Sequence, residues 1–401
     1  MPSSGESAPS IAPPVGAIPS GGSPSGIERP IPNDSAFEKE CRQHHLRGSM
    51  PQDAEFSVPF PFQANPHLTA ARERNLDWVR DLGAVSGDEA AGRYLSSHVA
   101  DLAAYFYPGI SAEDLPLAYD LMGWFFLFDD EFIVPAGEHP AAAVADCKEM
   151  ILRTLGTPVR TPQDTTPIVA AFTDVWTRMN HGMSPLWRAR AAHALLSYFW
   201  GNLTEVADRH SGTHRTPEEY LDLRRKSVGV DVSLAAGERL GHFEVPTLAW
   251  SSSLLTHMVR ITTDHIILVN EVVSLDKEEA SGDPNLILCR MRDQNLSRKQ
   301  AINQTIEEAD TAVQRFLDHE RQIPALCSNL ALSSSERTAV HAYTDMMRTM
   351  IRGNHDWHRT AGRYSSQAQP LVPPTLLTGP ANHGEQNHGD LQEHASPRQP
   401  T

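Results

Sequence analysis

Asn270, Ser274 and Glu278 stand four residues apart within the run from Val269 to Glu279. At about 100° per helical residue, that spacing stacks an amide oxygen, a hydroxyl and a carboxylate along one helix face. Three hard oxygen donors suit Mg2+ rather than zinc. Lys277 lies beside the same face, so a cation and a metal site would share one cavity, a combination suited to a diphosphate. On spacing alone, the stripe reads equally well as a solvated polar face, because Asp276, Glu278 and Glu279 form an acidic cluster. The apolar run Ile266-Ile267-Leu268-Val269 brings the helix in from a buried region and favours a lined cavity.

Three further constellations carry chemistry. The run from Gly123 to Phe132 is aromatic on nearly every side and ends in Asp129, Asp130 and Glu131. A helix apolar all round is buried, and Pro135 and Gly137 end this one. Acids at a helix C-terminus oppose the dipole and repel each other. A divalent cation would remove both problems; the alternative is a polar helix exit with its acids in water. Next, Arg224, Arg225 and Lys226 put three cations in succession, and Gly229 then interrupts the helical pattern. Glycine there costs about 1 kcal/mol relative to Ala and suggests a break with free backbone groups. The same run also reads as a basic face balancing Glu218 and Glu219. Last come Trp357 and the pair Arg363-Tyr364. A guanidinium fork and a phenol suit phosphate oxygens, and an indole can face a cation. Alone, such a pair at a helix end is ordinary structure.

The elements that must position these residues are helices. Apolar residues recur with helical period over 67–83, 87–106, 112–131, 139–155, 164–180, 184–211, 216–242, 246–280, 298–323 and 333–362, and strand signals are scarce. Pro66, Pro116, Pro140, Pro167, Pro185, Pro217 and Pro246 fall near expected helix starts, where proline is tolerated. The expectation is an all-α bundle of about ten helices. Pro-, Ser- and Gly-rich residues 1–55 and the tail 365–401 bury too little apolar surface to offset ordering entropy, so both are expected to be mostly disordered around one domain at 56–364. The formal net charge of -16 excludes a general nucleic-acid binder and docking on an anionic membrane. Cys41, Cys147, Cys289 and Cys327 are too scattered for a zinc module or disulfide framework. With no leader pattern and no apolar run near the ~20 residues of a membrane span, the expected setting is the cytoplasm.

Taken together, the four constellations resemble bacterial class I terpene synthases (terpene cyclases), and the sesquiterpene synthases among them. Asn270, Ser274 and Glu278 match that family's Asn/Ser/Glu metal motif, with Lys277 before the Glu; Phe125 to Asp130 matches its aspartate-rich motif. Arg225 falls at the diphosphate-sensing arginine, Val228 and Gly229 at the helix break, and Trp357 with Arg363-Tyr364 at the terminal motif. Two positions depart from the pattern: Ile133 stands where a third acid is usual, leaving Glu131 as a substitute or spectator, and Glu271 stands where Asp is common.

The resemblance implies a class I terpenoid synthase bundle around an active-site cavity. It implies three Mg2+ ions held by Asp129, Asp130, Asn270, Ser274 and Glu278, with Arg225, Lys277, Arg363 and Tyr364 on the diphosphate. Phe125, Phe126, Gly229 and Trp357 would line the cavity, with Phe60 and Phe62 as further candidates. The reaction expected is ionisation of farnesyl diphosphate and cyclisation to a sesquiterpene hydrocarbon or alcohol, catalysed by Asp129, Arg225, Asn270, Ser274 and Glu278. A C10 substrate, including methylated geranyl diphosphate, and a C20 substrate stay open. So does a non-catalytic helical scaffold. An isoprenyl diphosphate synthase would need a second aspartate-rich motif. The expected partner is the prenyl diphosphate alone, with the protein a monomer or homodimer.

Overall fold

The computed structural model describes residues 50–129, 140–161 and 164–361. The expected disordered tails lie almost wholly outside these residues. Among the described residues no strand occurs, and apart from a single 3-10 turn at Pro51–Asp53 the regular elements are α-helices, as the periodicity implied. They are α1 (Leu68–Asp81), α2 (Gly87–Ser96), α3 (Val99–Phe106), α4 (Leu115–Phe128), α5 (Pro140–Thr154), α6 (Pro167–Asn180), α7 (Pro185–Ser211) and α8 (Pro217–Ser227). The series continues with α9 (Val230–Leu240), α10 (Thr247–Trp250), α11 (Ser253–Ser281), α12 (Leu286–Asp293), α13 (Arg298–Glu320), α14 (Ile323–Asn329) and α15 (Ser334–His358).

Proline marks the starts as expected: it opens α5, α6, α7 and α8, where its missing N–H has no helical partner to lose. Thr216, Ser297 and Ser333 build reciprocal capping boxes with Glu219, Gln300 and Glu336 at the starts of α8, α13 and α15. The helix expected over 87–106 is two, because His98 takes a left-handed φ of 55° between α2 and α3. The helix expected over 216–242 breaks at Gly229, and that over 246–280 divides at Ser251 and Ser252 into α10 and α11. The eight-residue α12 was not foreseen. It is too short to show a period and follows directly on Pro284.

α4 is buried on nearly every side and runs through the core. Trp124 stacks on Phe128 at 5.4 Å, and Phe172 of α6 and Phe199 of α7 close around the pair. α11 packs chiefly against α13 and α15. Its inner face, Val269, Val272, Val273 and Leu275, meets Ile287, Ala301, Met50 and Ala54. Between Ala54 and α1 the chain is an extended strap. Ser57 N–H donates to Asp310 Oδ1 at 2.7 Å, and Arg352 Nη1 donates to the carbonyls of Val58 and Phe60 at 3.2 and 3.1 Å. Asn65, wholly buried, ends the strap by donating through Nδ2 to the Tyr107 and Ile110 carbonyls.

Candidate functional site

The site is built where α4, α7, α8, α11 and α12 converge. α11 carries Asn270, Ser274 and Glu278 on one side, as their spacing required, with Ser274 buried and the other two half-buried. Asn270 Oδ1 accepts from Arg224 Nη2 at 3.2 Å, and its Nδ2 meets His358 Nε2 at 3.3 Å. Ser274 Oγ donates to the Asn270 carbonyl at 2.7 Å, which leaves the hydroxyl's lone pairs for an incoming group. Glu278 Oε2 accepts from Asn285 Nδ2 at 2.8 Å. Desolvation, and then the charge of Glu271, push the Glu278 carboxyl above its usual range, against opposing bonds from Asn285 and Ser274 and the charge of Arg224.

Glu271, the motif's second residue, is wholly buried and belongs to the framework. Its carboxylate accepts from Tyr220 Oη at 3.0 Å, Arg224 Nε at 3.1 Å and the Leu286 N–H at 2.8 Å. One acid therefore ties α8 and α12 to α11. A buried carboxylate is tolerated when paired and hydrogen-bonded in this way.

The two neighbouring arginines point to different sides of α8. Arg225 faces away from Asn270: it pairs with Asp264 at 2.6 Å and Asp222 at 2.5 Å, in a groove shared with Arg260 and Arg315. Its neighbour Arg224 turns inwards to Asn270, Glu271 and, at 3.2 Å, Ser227 Oγ. Successive helical residues point about 100° apart, so a one-residue change of register exchanges the two faces. Tyr220 and Arg224, four apart, share one face and both bond Glu271. That spacing was visible in the sequence, as was the burial implied by tyrosine.

Across the site, Asp129 caps the C-terminus of α4 and is half-buried. Its charge acts on Tyr198 and Glu205 of α7, helping to hold both groups above their usual range after desolvation. Glu205 lies 3.7 Å from Arg224 and accepts from Ser227 Oγ. Glu205, which the sequence did not single out, and Arg224 thus connect α7 to the α11 stripe. Asp130, Glu131, Ile133, Arg363 and Tyr364 lie outside the described residues, and Lys277 is half-buried on α11.

Phe125 and Phe126 are half-buried, unlike their core neighbours Trp124 and Phe128. Phe126 meets Trp357 edge-on at 5.4 Å, and the Trp357 indole N–H donates to the His98 carbonyl at 2.8 Å. The left-handed turn at His98 therefore holds the indole. Phe125 meets Tyr198 edge-on at 5.1 Å and lies beside Gly229. Phe60 sits elsewhere, buried against Phe316 at 5.8 Å with the Arg348 guanidinium over its ring, and Phe62 packs on Tyr105 at 5.1 Å.

Gly229 has φ +76°, and a Cβ there would stand 3.1 Å from the Phe125 ring. Gly229→Ala is therefore expected to cost about 1–2 kcal/mol from left-handed strain alone. Urea unfolding measures it, and a variant as stable as the parent overturns the account.

An amide oxygen, a hydroxyl and a carboxylate on one face form a donor set for a hard divalent cation. Desolvation first, and then the charge of Glu271, disfavour the ionised form of Glu278, a cost that a bound cation would offset. The Arg224 fork bonds this face at Asn270, and Asp129, Phe125 and Phe126 are half-buried at the C-terminal end of α4. The arrangement can hold a metal-bound dianion at one end and an apolar, cation-forming tail at the other.

Comparison with known proteins points the same way. The family model described as Terpene synthase family 2, C-terminal metal binding, matches residues 120–315. Pentalenene synthase of Streptomyces avermitilis is 39% identical over 320 residues, 79% of this chain and 94% of that protein. The (-)-beta-caryophyllene synthase ((2E,6E)-farnesyl diphosphate cyclizing) of Saccharothrix espanaensis is 32% identical over 340 residues, covering 84% of this chain and 96% of its own. The crystal structure of Linalool/Nerolidol synthase from Streptomyces clavuligerus superposes with a TM-score of 0.71 at 36% identity, covering 76% of this chain and 100% of that one.

Proposed function

The chain belongs to the terpene synthase family and is a lyase acting on prenyl diphosphates, and from that premise we propose that it ionises farnesyl diphosphate and cyclises the cation to a sesquiterpene hydrocarbon or alcohol. The observation that carries this reading is the oxygen-donor face of Asn270, Ser274 and Glu278, bonded by Arg224 at Asn270, with Asp129 near enough for its charge to act on Glu205 beside the same arginine. Aromatic rings Phe125, Phe126 and Trp357 stand beside them. The name of the Saccharothrix relative supports farnesyl diphosphate.

In this reading Asn270, Ser274 and Glu278 hold divalent metal on one side, with Asp129 and its neighbour Asp130 on the other. Three bound Mg2+ ions would supply charge that stabilises the departing diphosphate. Arg224, in the place first given to Arg225, donates its fork to the diphosphate oxygens, with Lys277, Arg363 and Tyr364 as further donors. Donors aimed at a leaving group as its charge builds lower the barrier without reorganising during the reaction. As the C–O bond breaks, both its electrons leave with the diphosphate and an allylic cation remains. Aromatic faces at Phe125, Phe126 and Trp357 stabilise that cation by ~0.5–2 kcal/mol each. They also exclude the water that would quench it.

The likeness to Linalool/Nerolidol synthase keeps a C10 substrate as the second reading. Geranyl, farnesyl and geranylgeranyl diphosphates should be incubated in parallel with Mg2+ and the products separated by gas chromatography. The expected result is a cyclic C15 product from farnesyl diphosphate, lost on chelation with EDTA. A higher kcat/KM for geranyl or geranylgeranyl diphosphate overturns the C15 assignment. No described helix is long and apolar enough to cross a membrane. We place the enzyme in the cytosol, where the free thiols of Cys147, Cys289 and Cys327 persist, as a monomer or homodimer.

A further inference from the structure

We propose that Asn285 is a positioning residue for Glu278, a single buried amide that both starts α12 and holds the metal-binding carboxylate in place. The inference rests on the reading of Glu278 as a metal ligand. Asn285 has no solvent exposure and an extended backbone, with φ -146° and ψ 143°. Its Oδ1 accepts from the Ile287 N–H at 2.8 Å, the N-cap bond of α12. That bond fixes which edge of the amide faces α11. Nδ2 then spends its two N–H groups on α11: one goes to the Glu271 carbonyl and one to Glu278 Oε2, both at 2.8 Å.

The clamp is reciprocal. The Glu271 carboxylate accepts from the Leu286 N–H at 2.8 Å, so α11 caps α12 while the cap of α12 grips α11. Glu278 is half-buried near the end of α11, and its bond to Asn285 fixes the carboxylate against α12. Without the amide, the carboxylate would be free to turn towards solvent and off the line of Asn270 and Ser274. Outer partners that orient ligating carboxylates typically contribute about 10–100-fold in metal affinity.

The two uses of the amide can be separated. Serine caps a helix about as well as asparagine, but its short hydroxyl cannot replace the two N–H donors of the amide and does not reach Glu278. Mn2+ binding in the presence of inorganic diphosphate, read by electron paramagnetic resonance, should weaken about 10–100-fold in both Asn285→Ser and Asn285→Ala. The melting temperature should fall further in Asn285→Ala, which loses the cap of α12 as well as the two bonds to α11. Parent-like Mn2+ affinity in a folded Asn285→Ser overturns the latch. Glu278→Ala is the control. If it loses Mn2+ while Asn285→Ser keeps it, only the latch fails; if it too binds like the parent, the metal reading of Glu278 fails with it.

Discussion

Arg224→Ala should lose about 10²–10³-fold in kcat, the scale of removing one preorganised donor from a developing negative charge, while Arg225→Ala stays within a few-fold of the parent. The contrast follows from where the two forks point. Arg224 reaches the amide oxygen of Asn270 at 3.2 Å, within the metal-binding face. Arg225 is engaged by Asp222 and Asp264 on the outer side of α8. Arg224 also neutralises buried Glu271, and stranding a buried carboxylate destabilises by about 3–5 kcal/mol. A loss of activity in Arg224→Ala therefore has two sources. Arg224→Lys separates them, since it keeps the positive charge near Glu271 but lacks the planar fork. Diphosphate release should stay depressed in the lysine variant while urea unfolding recovers much of the stability. Equal losses for Arg224→Ala and Arg225→Ala would remove the basis for the reassignment.

Glu278→Gln and Asn270→Ala should abolish turnover with the helical far-ultraviolet signal intact. Glutamine keeps the size of Glu278 and an oxygen for Asn285 Nδ2, so the change is one of charge alone. A neutral amide holds a divalent cation far more weakly than a carboxylate does. The same substitution removes an acid that Glu271 opposes. Its effect on stability should therefore be neutral or favourable. The expected pattern is an inactive protein that unfolds at the same or higher urea concentration. Near-normal product formation by either purified variant would end the metal assignment.

The candidate site was legible in the sequence where its side chains ran along a single element. The four-residue spacing of Asn270, Ser274 and Glu278 needs only the helical period, and α11 confirms it. Gly229 announced its own break, and proline opens four of the helices. What the sequence concealed depended on a second element. Arg224 and Arg225 are chemically identical neighbours, and only the packing of α8 on α11 tells them apart. Glu271 looked like a conservative replacement in a motif; its burial and three donors come from α8 and α12. Glu205 is one acid among many on α7 until it is placed beside Arg224. Asn285 reads as a turn residue after Pro284, because one residue's local pattern cannot show a bond to another seven positions earlier across a reversal of the chain.

The strap ahead of α1 sets an order on the making of the protein. Its anchors lie 253 residues downstream at Asp310 and 294 and 292 residues downstream at Arg352. A ribosome adding about 5–20 residues each second needs roughly 15–60 s to reach Arg352 after Val58 has been joined. Until then the carbonyls of Val58 and Phe60 lack this donor, although the strap is among the first of the described segments to leave the exit tunnel. Early synthesis and late docking separate the two ends of this chain in time, and the strap is a place where a nascent copy differs from a finished one.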